Sequence, residues 1–245
     1  MKRRLDVALT ERGLADSRAK AAAAISDGYV SVNGVPVRKP SYPTEETDVL
    51  TVSLPGDTYV SRAGRKLSAA LDAFEISPAG KTVLDIGAST GGFTDCLLRR
   101  GAAFVYAVDV GTGQLHPSLR EDPRVRNMEK TNARYLTKEL FDRPVDLAVA
   151  DVSFISQTYL YPSVAPLLPA GAPFVTLVKP QFEVGPEGIG KNGIVRDPNG
   201  KRTKAMFQNL VSAAAEAHLV FRRSVDSPIP GGDGNREYLA LFTKE

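Results

Sequence analysis

The sequence has a single cysteine, two histidines and no long apolar run, and each of these narrows the possibilities before any motif is read. Cys96 alone permits neither an intrachain disulfide nor a cysteine-rich zinc site, which suits a reducing compartment and makes the cytoplasm the expected location. Its place after a glycine-rich turn suits a small buried hydrophobe better than a nucleophile. His116 and His218 stand apart without metal-ligand spacing, so no metal is expected and both read as structural. No stretch approaches the roughly 18 uninterrupted apolar residues of a spanning helix, and residues 1–13 carry charge but no apolar signal core. Secretion and membrane insertion therefore find no support, and a membrane-lytic protein lacks the segment it would need.

What is present describes a folding chain. Hydrophobic residues make up 42% and charged residues 24%, a composition that can bury a core. A length of 245 residues suits one large α/β domain plus a small module. The net charge of +3 is unevenly spread, because residues 1–40 hold eight Lys/Arg against four acids. Such an arm suits a polyanion, since phosphate neutralisation supplies most nonspecific nucleic-acid affinity.

Within that arm, Leu5, Ala8 and Leu9 predict a short helix that Gly13 can end. A second helix follows, capped by Asp16 or Ser17, built on Ala19 and Ala21 to Ala24, and ended at Gly28. Tyr29–Val32 and Val35–Val37 read as strands joined by an Asn33-Gly34 turn. The turn-rich Leu54-Pro55-Gly56-Asp57 is the expected junction, giving domains at 1–57 and 58–245.

Beyond residue 81 the pattern becomes α/β. Lys81–Ile86, Phe104–Val110, Val125–Glu129, Val145–Asp151 and Phe174–Lys179 are short apolar runs of the kind buried on both faces of a parallel sheet, separated by helical stretches. The expected fold is a doubly wound, Rossmann-like sheet. Leu219–Val225 and Glu237–Thr243 flank a Pro/Gly segment, Pro228–Gly234, and predict a hairpin at the sheet edge. Gln181 to Gly200, with five glycines, predicts a long binding loop.

The first of these strands runs into Asp85-Ile86-Gly87-Ala88-Ser89-Thr90-Gly91-Gly92-Phe93 and then a helix. Its glycines allow close backbone approach to a ligand, and the helix start favours an anionic group. The spacing is not the dinucleotide fingerprint, and Asp85 ahead of Gly87 would repel a diphosphate. A cationic ligand with one carboxylate fits better, and S-adenosylmethionine is such a ligand. Asp109, ending the next strand, is placed to accept from both ribose hydroxyls, and Asn132-Ala133 would lie level with an adenine edge. The candidate cofactor residues are thus Asp85, Gly87, Ala88, Ser89, Thr90, Gly91, Gly92, Phe93, Asp109, Asn132 and Ala133, with Phe93 expected to pack beneath the turn.

Four further residues suit proton removal from a poorly acidic hydroxyl, a task for lysine when desolvation and a neighbouring cation lower its proton affinity. Lys66 precedes the first strand, Asp151 and Lys179 end the fourth and fifth, and Glu237 opens the last. Phe154, close behind Asp151, can either stack on a base or pack in the core.

The ordered set Lys66, Asp151, Lys179, Glu237 resembles the Lys-Asp-Lys-Glu tetrad of FtsJ-like ribose 2′-O-methyltransferases. Arg4-Leu5-Asp6, Gly13-Leu14, Ser17-Arg18, Gly28-Tyr29-Val30 and Val32-Asn33-Gly34 resemble the αL RNA-binding motif of a small-subunit ribosomal protein. With Ser61-Arg62-Ala63-Gly64-Arg65-Lys66-Leu67 after the linker, the chain is similar to the TlyA family of ribosomal RNA (cytidine-2′-O)-methyltransferases, long labelled hemolysins. The resemblance implies a substrate in ribosomal RNA or ribosomal subunits, Lys179 as general base, Lys66 as the assisting cation, and Asp151 and Glu237 as the acids that fix them. It also implies phosphate contacts at Arg3, Arg4, Arg18, Lys20, Arg62 and Arg65.

Overall fold

The computed structural model describes residues 2–15, 17–52, 59–190, 193–231 and 234–245. Contacts divide the chain into two units, Met1–Thr58 and Tyr59–Glu245. The expected junction at Leu54 to Asp57 lies outside the described residues.

The first unit contains β1 (Arg3–Arg4), α1 (Leu5–Glu11), α2 (Arg18–Ser26), β2 (Val30–Val32), β3 (Val35–Pro36), β4 (Pro43–Thr44) and β5 (Leu50–Val52). Ser17 caps α2 by accepting from the Lys20 amide at 3.2 Å, whereas the other expected cap, Asp16, lies outside the described residues. Asn33 and Gly34 both adopt positive φ, as the tight turn between β2 and β3 demands. Sequence patterning missed β5, which pairs with the other side of β2. Leu5, Leu9, Ala21, Ile25 and Val30 close the small core.

The second unit is the expected doubly wound sheet. Its elements are α3 (Ala63–Phe74), β6 (Thr82–Ile86), α4 (Gly92–Arg99), β7 (Phe104–Val108), α5 (Pro117–Arg120), β8 (Val125–Met128), β9 (Leu147–Ala150), α6 (Tyr161–Val164), β10 (Pro173–Val178), α7 (Lys201–Glu216), β11 (Leu219–Asp226) and β12 (Tyr238–Lys244). The strand order is β11-β12-β10-β9-β6-β7-β8, with β10 through β8 parallel and β12 antiparallel to both of its neighbours. Alternate strand residues enter two different cores. Leu84, Tyr106, Ala148 and Phe174 pack with α6 and α7 residues, while Val83, Val105, Val149 and Val175 pack with Leu67 and Leu71 of α3 and Leu97 of α4. Both faces are therefore covered, which is why these strands read as continuous apolar runs.

Two features of this order position the site. After β6 the chain moves outward to β7 and β8, then crosses back to β9 on the other side, so β6 and β9 flank a topological switch point where open α/β sheets bind ligands. The register Val178↔Tyr238 sets the end of β10 beside the start of β12, so Lys179 and Glu237 share one edge of the sheet.

Candidate active site

Gly87, at the end of β6, takes φ +79°, and a Cβ there would stand 2.5 Å from the carbonyl oxygen of Asp151. Only glycine lets the two strand ends meet so closely. Beside this contact lies a cavity of about 540 Å³ lined by Gly87, Ser89, Asp109, Gln114, Asn132, Ala133, Asp151 and Phe154, among others. One carboxylate oxygen of Asp109 accepts from the Ser89 amide at 2.8 Å and the other from the Gly111 amide at 2.7 Å. Each retains a lone pair for a ribose hydroxyl. The Asn132 side chain accepts from the Arg134 amide at 3.1 Å, which fixes the wall that Ala133 completes.

A smaller cavity of about 170 Å³ is lined by Gly87, Ala88, Ser89, Thr90, Gly92 and Phe93 together with Asp151, Ser153 and Lys179. Gly91 is the turn residue that none of these cavities includes, because its position faces Leu115 and Leu119 instead. Phe93 is buried beneath the turn, as expected. Asp85 is fully buried and lines neither cavity. Thr94 Oγ1 donates to Asp85 Oδ2 at 2.6 Å, so the carboxyl steadies the start of α4.

Burial pushes the Asp85 carboxyl up to about 7, with the negative charges of Asp151 and Asp109 adding to the rise against the Thr94 hydrogen bond. A carboxyl raised in the folded state holds its proton more tightly there than in the unfolded chain. Its stabilisation is therefore complete below the ordinary value near 3.8 and is lost as pH rises through about 7. Relative to Asp85→Asn, the wild-type protein should lose up to about 4 kcal/mol of stability between pH 4 and pH 8. Urea denaturation of both proteins across that range checks this, and parallel pH profiles would refute it.

The third cavity, about 520 Å³, adjoins the other two through Asp151 and Ser153 and holds all four expected catalytic residues, Lys66, Asp151, Lys179 and Glu237. They form two ion pairs. Lys179 Nζ stands 2.6 Å from Asp151 Oδ1, an ion pair by distance rather than a directed hydrogen bond, and donates to Ser153 Oγ at 2.9 Å. Lys66, on α3, pairs with Glu237 in a deeper position. The side chains of Lys66 and Glu237 are 6% and 3% exposed, against 13% and 17% for Lys179 and Asp151, so Lys179 is the lysine an incoming group meets first. Among the described residues no group of three or more histidines, cysteines or carboxylates is placed to hold a metal ion.

Ser153 was not foreseen from the sequence, although it lines all three cavities. Its only signal was proximity to Asp151. Phe154 adopts φ +65° and is 91% exposed, which removes core packing as its role. Its ring stands 5.3 Å from that of Phe182 and borders both large cavities.

Arg62 also lines this third cavity, and Arg65 lies exposed on α3. In the N-terminal unit Arg3, Arg4, Arg18 and Lys20 are all exposed. Arg3 pairs with Glu11. Arg4 and Arg18 converge on Asp6, each at 3.0 Å, and their hydrogen bonds, Arg4 foremost, hold its carboxyl down at about 2. The buried carboxylate thereby orients two guanidinium groups on one face of the module.

Residues 59–244 match the FtsJ-like methyltransferase family, which is most of the chain. The chain belongs to that family. Residues 3–50 match the S4 domain, so an FtsJ-like methyltransferase unit follows an S4 domain. Among curated proteins, the chain is 47% identical over 240 residues to the 16S/23S rRNA (cytidine-2′-O)-methyltransferase TlyA of Mycobacterium tuberculosis, covering 96% of this chain and 88% of that one. Among solved structures, a protein from Streptococcus thermophilus named as a hemolysin superposes with TM-score 0.78 at 41% identity, covering 99% of this chain and 88% of the other. An S-adenosylmethionine-dependent methyltransferase from Listeria monocytogenes shares the fold, with TM-score 0.53 at 17% identity over 75% of this chain and 99% of that one. The hemolysin name extends to such FtsJ-like relatives, yet among the described residues no helix is long and apolar enough to cross a membrane.

Proposed function

We propose that this chain is a cytoplasmic enzyme that methylates a cytidine 2′-hydroxyl in ribosomal RNA, with residues 58–245 catalytic and residues 1–57 presenting the RNA. The observation that carries the proposal is the meeting of two lysine–carboxylate pairs in one cavity that adjoins, through Asp151 and Ser153, the cavity at the switch point. The match to the M. tuberculosis enzyme, which spans both units, supports the choice of substrate.

The residues at the switch point fit S-adenosylmethionine. Asp109 offers free lone pairs to a ribose, Asn132 and Ala133 form a wall for an adenine, and Gly87 to Thr90 bring the turn backbone close, while Gly92 begins α4. When bound, the cofactor supplies an electrophilic methyl group. Lys179, entering the step as the neutral amine, accepts the proton that leaves the ribose hydroxyl and becomes the ammonium, and Asp151 and Ser153 hold it in place. Lys66, pinned by Glu237, contributes a second cation to orient the hydroxyl oxygen. Phe154, projecting at the common rim, offers a face to the base of the target nucleotide. The arginines held by Asp6, together with Arg3, Lys20, Arg62 and Arg65, contact RNA phosphates.

The test is incubation with labelled S-adenosylmethionine and unmodified bacterial ribosomal subunits, followed by mapping of the label. Label is expected on a cytidine ribose, and RNA binding should weaken steeply with salt because it rests on several phosphate contacts. Label on a base or on protein would overturn the reaction assigned here, and a flat salt response would remove the basic module from it.

A further inference from the structure

The segment from Gly188 to Arg196 folds back on itself. Ile189 bridges to Val195, the Gly190 amide donates to the Ile194 carbonyl at 2.7 Å, and the Arg196 amide donates to the Gly188 carbonyl at 3.0 Å. Lys191 and Asn192 lie outside the described residues. Ile189 and Gly193 line the same cavity as Lys66, Lys179 and Glu237. Tight backbone closure shapes this loop but does not say what fixes it against the sheet.

That fixation comes from one buried amide. Asn235 is 3% exposed, and both ends of its side chain are used: Oδ1 accepts from the Val195 amide and Nδ2 donates to the Gly193 carbonyl, each at 2.9 Å. Its own carbonyl accepts from the Gly231 amide at 2.8 Å. A Cβ on Gly231 would stand 2.6 Å from Glu237 Oε1, so this turn closes directly against the carboxylate that pairs with Lys66. Asn235 therefore touches the loop through its side chain and the wall behind Glu237 through its backbone, two residues before Glu237 itself.

We infer that Asn235 is a positioning residue, whose amide pins the 188–196 loop to the start of β12 so that the loop forms the wall against which the RNA nucleotide is placed. The inference rests on the reading of this cavity as the methyl-transfer site. A serine or an aspartate cannot replace the amide fully, since only an amide presents a donor and an acceptor on one plane at this reach. Loss of placement is costly in such a site because an error of about 1 Å in the reacting groups can lower turnover roughly 100-fold.

The test compares full-length wild-type, Asn235→Ala and Asn235→Asp proteins by amide exchange over residues 188–196 and by steady-state kinetics with ribosomal subunits. In Asn235→Ala, exchange at Val195 should rise at least about tenfold, the KM for RNA should rise and kcat should fall, each by about tenfold, with S-adenosylmethionine affinity within about twofold of wild type. Asn235→Asp keeps the acceptor for Val195 and loses the donor to Gly193, so Val195 should stay protected while the kinetic defect is intermediate. Unchanged exchange in Asn235→Ala would overturn the pinning, and loosened exchange with wild-type kinetics would overturn the loop's part in placement. Parallel loss of cofactor affinity and turnover would also overturn it, because that pattern marks a general structural defect. Exchange is read without any methyl acceptor, so it reports on the pinning even if the wild-type protein leaves ribosomal RNA unmodified, an outcome that would instead sink the functional reading.

Discussion

Lys179→Ala should reduce methyl transfer to RNA by about 10²- to 10⁴-fold while S-adenosylmethionine affinity stays within about twofold. The expectation follows from where the side chain stands. Lys179 lines both the cavity that holds the two lysines and the smaller cavity beside the glycine turn. The Asp151 side chain is already 17% exposed with Lys179 in place, so water can reach its carboxylate once the lysine is removed and the fold should survive. Lys66→Ala should behave differently. Glu237, only 3% exposed, would be left as an uncompensated buried charge, a type of loss that costs about 3–5 kcal/mol. A fall in melting temperature should therefore accompany lost turnover in Lys66→Ala but not in Lys179→Ala. Calorimetry beside single-turnover assays separates the two, and equal loss of cofactor affinity and turnover in Lys179→Ala would refute its role in the chemistry.

The same contrast explains what could be read from the chain in advance. The inner parallel strands β6, β7, β9 and β10 were legible because a sheet covered on both faces needs largely apolar runs, as in Val83-Leu84 or Phe174-Val175, whereas β8 at the edge carries Arg126 and Asn127 and is only partly buried. Lys179 and Asp151 were legible because each follows such a run directly. Helix α3 was missed although Leu67, Ala70, Leu71 and Phe74 form its buried stripe, because its first turn holds Gly64, Arg65 and Lys66 and looks polar in isolation. Lys66 consequently reads from sequence as a charge before a strand, whereas the helix carries it into the core to meet Glu237. Asp85 reads from sequence as a partner for a cationic ligand, and the fold adds what the sequence did not show: Oδ2 accepts from Thr94 while Oδ1 is buried without a hydrogen-bond partner. Ser153 and Asn235 were invisible for a further reason: their contacts join segments far apart in the chain, and nothing in local spacing encodes that.

Phe154→Ala should lower kcat/KM for RNA by roughly 5- to 150-fold, the equivalent of about 1–3 kcal/mol of base stacking, with cofactor affinity unchanged. A bulky side chain at positive φ is strained by about 1–3 kcal/mol, and a ring that is 91% exposed gains no burial in return. The fold nevertheless holds the residue there. Glu183, whose carboxyl burial pushes upward, accepts from Ser156 Oγ at 2.6 Å and from the Gln157 amide at 2.9 Å, fastening the segment that follows Phe154. Phe182, one residue earlier, supports the ring from the side. Strain that neighbours brace suits a functional role better than packing, and Phe154 borders both the switch-point cavity and the cavity that holds the two lysines. Stability measurements sharpen the test. Phe154→Gly should be as stable as wild type or more so, since glycine tolerates this backbone, yet as defective on RNA as the alanine variant. Phe154→Tyr should retain activity because it keeps the π-face. Wild-type kcat/KM in the alanine and glycine variants would show that the ring does not hold the target base.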